Sequence, residues 1–213
     1  EDPVRMIRAV RFQAKLNAKI EPKLIKAIQK KSHLLANIPP ARLYEEVIKL
    51  FHNENSIIIF RELFKLGLLK HLFSQTEENS FVTSALINTS ERIKSGNSVT
   101  PAFLFAVFLW SALNKRLNQK SKKNKSRIEL MLEASEYVIK QQTQQVMMPR
   151  WLSSRVKDVW LMQYQLENYN PKKAKTLIQS PRFRMAYDFL VLRSKSLDKG
   201  LKVKAEYWTN IQK

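Results

Sequence analysis

The sequence lacks the residue types that several kinds of site require. It has no cysteine, which excludes a disulfide framework and any thiolate metal site. Its three histidines, His33, His52 and His71, do not show the paired spacing typical of a zinc site. No apolar run approaches the roughly 20 residues that cross a bilayer, and the first segment alternates charged and apolar residues, unlike a signal peptide. We therefore expect no metal site and no transmembrane segment.

Glycine is also scarce, with three residues in 213. Mainly β folds need glycine in their tight turns, so this scarcity disfavours them. Apolar residues instead recur at spacings of three and four, which indicates helices. Prolines lie where several of these helices are predicted to start, a position that needs no backbone N–H; they are Pro22, Pro101, Pro149, Pro171 and Pro181. The sequence predicts an all-α fold of about ten helices.

The most hydrophobic stretch, residues 102–113, is apolar on nearly every side of a helix. It should therefore lie at the centre of a core. Tryptophans can stack on nucleic-acid bases, but at helical spacing we expect them to be core residues; they are Trp110, Trp151, Trp160 and Trp208.

Positive charge is abundant: 38 Lys and Arg against 18 Asp and Glu give a net charge of +20. Such an excess favours a polyanionic partner, with nucleic acid first and an anionic membrane surface second. Three basic clusters stand out, within residues 1–31, 115–127 and 149–184. Each could be a solvated surface, but three together favour phosphate binding. The candidate RNA-binding residues are Lys120, Lys122, Lys123, Lys125, Arg150, Arg155, Arg182 and Arg184.

The first 16 residues form an amphipathic pattern. At about 100° per residue, one arc of the helix carries four cations, Arg5, Arg8, Arg11 and Lys15, and the opposite arc is apolar. Asp2 stands at the helix entrance, three residues before Arg5. A carboxylate beside a guanidinium can read the polar edge of a base. Alternatively, Asp2 caps the helix and forms an ordinary ion pair with Arg5.

The opening residues EDPVRMIRAVRF resemble the E-D-x-x-R-x-x-R-A-x-R-F motif of class II nucleotidyltransferases, which include bacterial poly(A) polymerases and CCA-adding tRNA enzymes. Further stretches resemble the poly(A) polymerase branch, and they lie at 38–46, 101–106, 158–163 and 180–188. The resemblance implies a helical neck at 1–38, a helical body at 39–118, and a basic linker with a C-terminal RNA-binding region at 119–213.

By this resemblance, Asp2 and Arg5 recognise the base of ATP, and Arg8 supports the nucleotide or its phosphates. The family's metal-binding carboxylates come from a D-x-D motif in a catalytic head, and this sequence has no D-x-D. The resemblance thus implies a cytoplasmic adenylyltransferase that acts on RNA 3′ ends with ATP and Mg²⁺, with the head absent from this chain and the fragment inactive alone. A CCA-adding enzyme or a free-standing RNA-binding module are the alternatives.

Overall fold

The computed structural model describes residues 2–119, 125–168 and 170–212, and only the backbone of Lys173. Within these ranges every regular element is helical, which confirms the all-α prediction. The α-helices are α1 (Val4–Leu16), α2 (Pro22–Lys31), α3 (Pro40–Phe51), α4 (Ser56–Lys65), α5 (Leu69–Leu72), α6 (Ser80–Lys94), α7 (Pro101–Phe108), α8 (Trp110–Gln119), α9 (Arg127–Gln145), α10 (Arg150–Glu167), α11 (Ala174–Ile178), α12 (Phe183–Ser196) and α13 (Lys202–Asn210). Short 3-10 helices lie at Ser32–Asn37, Pro171–Lys173 and Lys199–Leu201.

The chain divides into two compact units. The first contains Glu1–Thr76, Leu86–Pro101 and Ile139–Met148, and the second contains Glu77–Ala85, Ala102–Val138 and Pro149–Lys213. Helices α6 and α9 contribute residues to both units.

Several helices end at residues with a left-handed backbone. Gly67 and Gly96 have φ angles of 70° and 75°, and each follows the end of a helix within two residues. This left-handed conformation suits glycine because it has no Cβ to crowd the carbonyl oxygen that follows it. Leu68 then donates its amide to the carbonyl of Leu63 at 2.9 Å, which satisfies one of the last carbonyl groups of α4. Asn17 ends α1 in the same conformation, with φ of 49°.

The core of the first unit forms where the apolar faces of α1, α3 and α4 meet. Val4, Ile7 and Val10 of α1 are completely buried, which confirms Ile7 and Val10 as part of its apolar face. Phe51 at the end of α3 packs against Phe60 of α4, with ring centroids 6.5 Å apart. These contacts hold α1 so that its opposite face, which carries Arg5, remains exposed.

The second unit has an aromatic core around α7 and α12. Residues 102–108 of α7 are all buried, which confirms the predicted central position of this segment. Phe189 of α12 packs edge-on against Phe81 and Trp110, at centroid distances of 5.1 and 5.2 Å. The indole N–H of Trp160 donates to the Ala106 carbonyl at 3.1 Å, so its polar atom is satisfied inside the core.

The structure refines the predicted helix count. Within the described residues there are thirteen α-helices rather than about ten. One cause is the apolar segment, which is divided at Leu109 into α7 and α8. Backbone hydrogen bonds still join Leu109 to Phe105 and Leu113 to Leu109, so the division is a local distortion. None of the described helices is long and apolar enough to span a membrane.

Candidate nucleic-acid interface

Asp2 lies at the surface of the first unit, where α1 begins. Its Oδ1 accepts a hydrogen bond from the Val4 amide at 3.1 Å, and its Oδ2 pairs with the guanidinium of Arg42 on α3. Burial works to raise the pKa of this carboxyl, but the hydrogen bonds from Val4 and Arg42 outweigh it and lower the pKa. Asp2 is therefore an ionised acceptor, and a carboxylate has lone pairs left for a ligand donor.

Arg5 and Arg8 lie on the same side of α1 but in different surroundings. Arg5 is exposed one turn into the helix. Arg8 is half-buried, and its Nη2 donates to Oε1 of Glu46 at 2.6 Å. This hydrogen bond raises the pKa of the Arg8 guanidinium above its already high ordinary value. The carboxylate of Glu46 thus compensates the positive charge of Arg8.

Glu46 is the buried centre of this arrangement, with 3% of its side chain exposed. It also accepts from Nζ of Lys49 at 3.3 Å. Burial acts to raise the pKa of Glu46, yet the hydrogen bonds from Arg8 and Lys49 dominate and lower it. Glu46 thus links α3 to the basic first helix, whereas the neighbouring Glu45 is exposed.

We call Asp2, Arg5, Arg8, Arg42 and Glu46 the neck site. The sequence predicted the first three, which are close because Asp2 lies just before α1 and Arg5 and Arg8 follow within its first turns. Arg42 and Glu46 were missed as partners because their contacts join positions 40 and 38 residues apart. One feature of the sequence pointed to these two residues: both lie in the stretch at 38–46, which resembles the poly(A) polymerase branch.

The second group of predicted residues lies in the second unit, on α10 and the start of α12. Arg150 and Arg155 are exposed in the first turns of α10. Arg182 precedes α12, and its Nε pairs with Oδ2 of Asp158 on α10 at 3.0 Å, which links the two helices. Arg184 is exposed and pairs with Asp188 at 3.3 Å. We call Arg150, Arg155, Arg182 and Arg184 the arginine strip.

Of the four predicted lysines, Lys125 lies in the described part of the chain. Lys120, Lys122 and Lys123 lie outside the described residues. Lys125 is exposed just before α9 and forms an ion pair with Glu133. A carboxylate of α9 thus already compensates the charge of Lys125.

Trp151 contradicts the expectation that all four tryptophans are core residues. Trp110, Trp160 and Trp208 are buried, but Trp151 is 47% exposed. At 100° per residue, it lies about 100° from the centre of the buried stripe of α10, which includes Leu152, Val156 and Val159. The helical spacing could have revealed this. The guanidinium of Arg155 lies 5.7 Å from the centre of its ring.

A metal site would need several carboxylates or histidines close together. Among the described residues, no three His, Cys, Asp or Glu side chains are close enough to form a metal site. The described part of this chain thus provides no fitting set of Mg²⁺ ligands.

Comparisons with known proteins cover most of the chain. Residues 17–79 match the family model described as "Probable RNA and SrmB- binding site of polymerase A", and residues 123–213 match "Polymerase A arginine-rich C-terminus". The whole chain is 33% identical to poly(A) polymerase I of Salmonella typhi and 31% identical to that of Haemophilus influenzae. The aligned regions make up 48% and 49% of these relatives, so the chain spans about half of their length.

A shorter similarity links the chain to CCA-adding enzymes. The CCA-adding enzyme of Ligilactobacillus salivarius is 39% identical over 71 residues, which is 33% of this chain and 18% of the relative. The poly(A) polymerase similarities extend over the entire chain, and both matching family models describe polymerase A. The chain therefore belongs to the poly(A) polymerase family.

Proposed function

We propose that this chain is the RNA-binding and nucleotide-recognition portion of a polynucleotide adenylyltransferase, which adds AMP from ATP to RNA 3′ ends. The observation that carries the proposal is the similarity of the whole chain to poly(A) polymerase I relatives. The neck site and the arginine strip supply surfaces of suitable chemistry for the nucleotide and for RNA. We place the enzyme in the cytoplasm.

In the neck site, Asp2 accepts a hydrogen bond from the exocyclic amine of adenine, and Arg5 donates to a ring nitrogen. Two observations support these roles. Asp2 is held as an ionised acceptor by Val4 and Arg42, and Arg5 is exposed next to it on the first turn of α1. Arg8 supports the nucleotide by keeping this end of α1 attached to Glu46.

RNA phosphates are bound by exposed cations of the second unit. The arginine strip presents four guanidiniums, and the segment with Lys120, Lys122, Lys123 and Lys125 adds further charge. Contacts to phosphates provide affinity that does not depend on sequence, as an enzyme acting on many RNA ends requires.

Mg²⁺ and the carboxylates that hold it belong, in this proposal, to a catalytic head domain outside these 213 residues. The described residues hold no fitting carboxylate cluster, so their own contribution is to bind and orient ATP and RNA. The neck, body and C-terminal regions at 1–38, 39–118 and 119–213 remain our proposed division of this contribution.

The test uses a polymerase that contains this chain and measures incorporation of each of the four nucleotides at an RNA 3′ end. We expect ATP to be preferred, and Asp2→Ala or Arg5→Ala to reduce that preference about tenfold or more, because unpaired polar groups reject the wrong base. RNA affinity should change less than about twofold, since phosphate contacts elsewhere supply it.

The matched control is Glu21→Ala, which removes an exposed carboxylate just before α2. Equal loss of activity with every nucleotide would contradict base reading by Asp2 and Arg5. Ordered addition of CTP and then ATP to tRNA would instead assign the protein to the CCA-adding branch.

A further inference from the structure

The exposed indole of Trp151 is unusual for this protein. Trp110, Trp160 and Trp208 are at most 5% exposed, whereas nearly half of Trp151 is open to solvent. It lies in the first turn of an 18-residue helix, whose other face supplies the buried core contacts. Exposing a side chain of this size forgoes the free energy that its burial would contribute. Packing within the fold therefore accounts for only about half of the surface of this side chain.

The side chains around Trp151 are polar and cationic. Arg155 follows it by one turn, with its guanidinium 5.7 Å from the ring centre, within the range of a cation–π contact. Arg150 and Ser154, its exposed neighbours on the helix, are also polar. Trp151 is thus a flat apolar surface with hydrogen-bond donors and positive charge beside it on the exposed side of α10.

The exposed face of α10 continues from Trp151 to the rest of the arginine strip. Trp151, Arg155 and Asp158 fall within an arc of about 60° on the helix, since they are spaced by four and three residues. Asp158 pairs with Arg182, so the same face leads to the start of α12. The cations of the strip are therefore placed to bind a ligand that extends beyond one residue.

This combination favours single-stranded nucleic acid over an apolar protein surface. A protein that docks through hydrophobic contacts would need apolar neighbours beside the indole, but Arg150, Ser154 and Arg155 occupy those positions. A strand of RNA carries a flat ring and a negative phosphate in every nucleotide. Its bases can stack on an exposed aromatic side chain while its phosphates pair with arginines.

We propose that Trp151 is a base-stacking platform for single-stranded RNA, with Arg150 and Arg155 binding the adjacent phosphates. This inference rests on the proposed RNA-binding function and adds a contact that reads the presence of a base. The site would then make two kinds of contact. The arginines bind any phosphate chain, whereas Trp151 binds only a nucleotide that carries a base.

Tryptophan fluorescence offers a direct test, because Trp151 is the accessible one of the four indoles. In the 213-residue chain, acrylamide should quench mainly Trp151, and a single-stranded 12-nucleotide oligoadenylate should both quench its emission and protect it from acrylamide. An abasic oligonucleotide of the same length should bind about tenfold more weakly and leave the emission unchanged.

Substitutions at position 151 distinguish stacking on an aromatic ring from contact with any apolar side chain. Trp151→Leu should weaken oligoadenylate binding about tenfold and abolish the discrimination against the abasic strand, whereas Trp151→Phe should restore most of both. Arg155→Gln is the control for charge, and it should weaken the binding of both oligonucleotides equally. Circular dichroism and thermal melting should match the unsubstituted chain, since Trp151 is exposed.

The outcomes distinguish this inference from the function on which it rests. Salt-dependent RNA binding with unchanged Trp151 emission, or equal affinity for abasic and normal strands, would overturn the stacking platform alone. Failure of the unsubstituted chain to bind either strand would overturn RNA binding and the platform with it.

Discussion

Arg8 in the first unit and Arg155 in the second belong to basic clusters that look alike in the sequence. Arg8 is half-buried and donates to Glu46, a carboxylate of which 3% is exposed. Arg155 is exposed and lies over the ring of Trp151. An arginine bound to a buried carboxylate holds helices together, whereas an exposed one keeps its hydrogen-bond donors for a ligand. The number of cations in a cluster is therefore a poor guide to its role, and burial of the partner is a better one.

The largest expected effect concerns RNA affinity in the second unit. Replacing all four residues of the arginine strip with Gln should weaken oligoadenylate binding about 100-fold at low salt. The slope of log affinity against log salt should fall by roughly 0.7 for each lost phosphate contact. Fluorescence anisotropy across a salt series measures both quantities.

A control with the same change in net charge is available outside the three basic clusters. Lys94, Lys140, Lys195 and Lys199 are all exposed, and their replacement with Gln also removes four charges. We expect a clearly smaller loss of affinity. If both quadruple variants lose affinity equally, net charge rather than the arginine strip determines RNA binding.

The next effect concerns stability in the first unit. Glu46→Gln should lower the free energy of unfolding by about 1–3 kcal/mol, because Arg8 and Lys49 lose their charge-assisted hydrogen bonds to a buried group. Urea denaturation measures the change. Glu45→Gln, at the exposed neighbouring position, should stay within about 0.5 kcal/mol of the unsubstituted chain.

The stability effect of Glu46→Gln should also depend on pH. Hydrogen bonds from Arg8 and Lys49 hold the pKa of Glu46 below its ordinary value of 4.5, although burial opposes them. Its contribution to stability is therefore complete above pH 4.5 and is lost as the pH falls through the lower folded-state pKa. The difference in stability between the unsubstituted chain and Glu46→Gln should shrink below that pH. A constant difference down to pH 3 would show that Glu46 stabilises the unit without its charge.

The smallest expected effect concerns Asp158, the carboxylate that pairs with Arg182. Asp158→Asn removes the carboxylate that pairs with this arginine, so RNA affinity should rise about two- to fivefold through the added positive potential. Glu206→Gln removes a carboxylate that pairs with Lys202 on α13 and serves as the control. Weaker binding by Asp158→Asn would mean that Asp158 positions Arg182 for RNA rather than competing with it.

Local features of the chain were predictable from its residues. Proline located the starts of several helices, because its backbone preference acts within a few residues. The apolar spacing identified residues 102–113 as core, and the opening motif identified Asp2, Arg5 and Arg8 as a possible site. The helical spacing of α10 also places Trp151 away from the buried stripe. The expectation that all four tryptophans are core residues did not take that position into account.

The sequence by itself determined which segments become helices, which of their faces are apolar, and how strongly positive the whole chain is. Tertiary structure alone decided which charges meet: Asp2 with Arg42, Arg8 with Glu46, and Asp158 with Arg182. Each of these pairs joins two different elements, and its geometry depends on how their apolar faces pack. Residue type supplies the charges, but whether two of them pair depends on their distance and burial, which no local pattern in the chain specifies for residues on different elements.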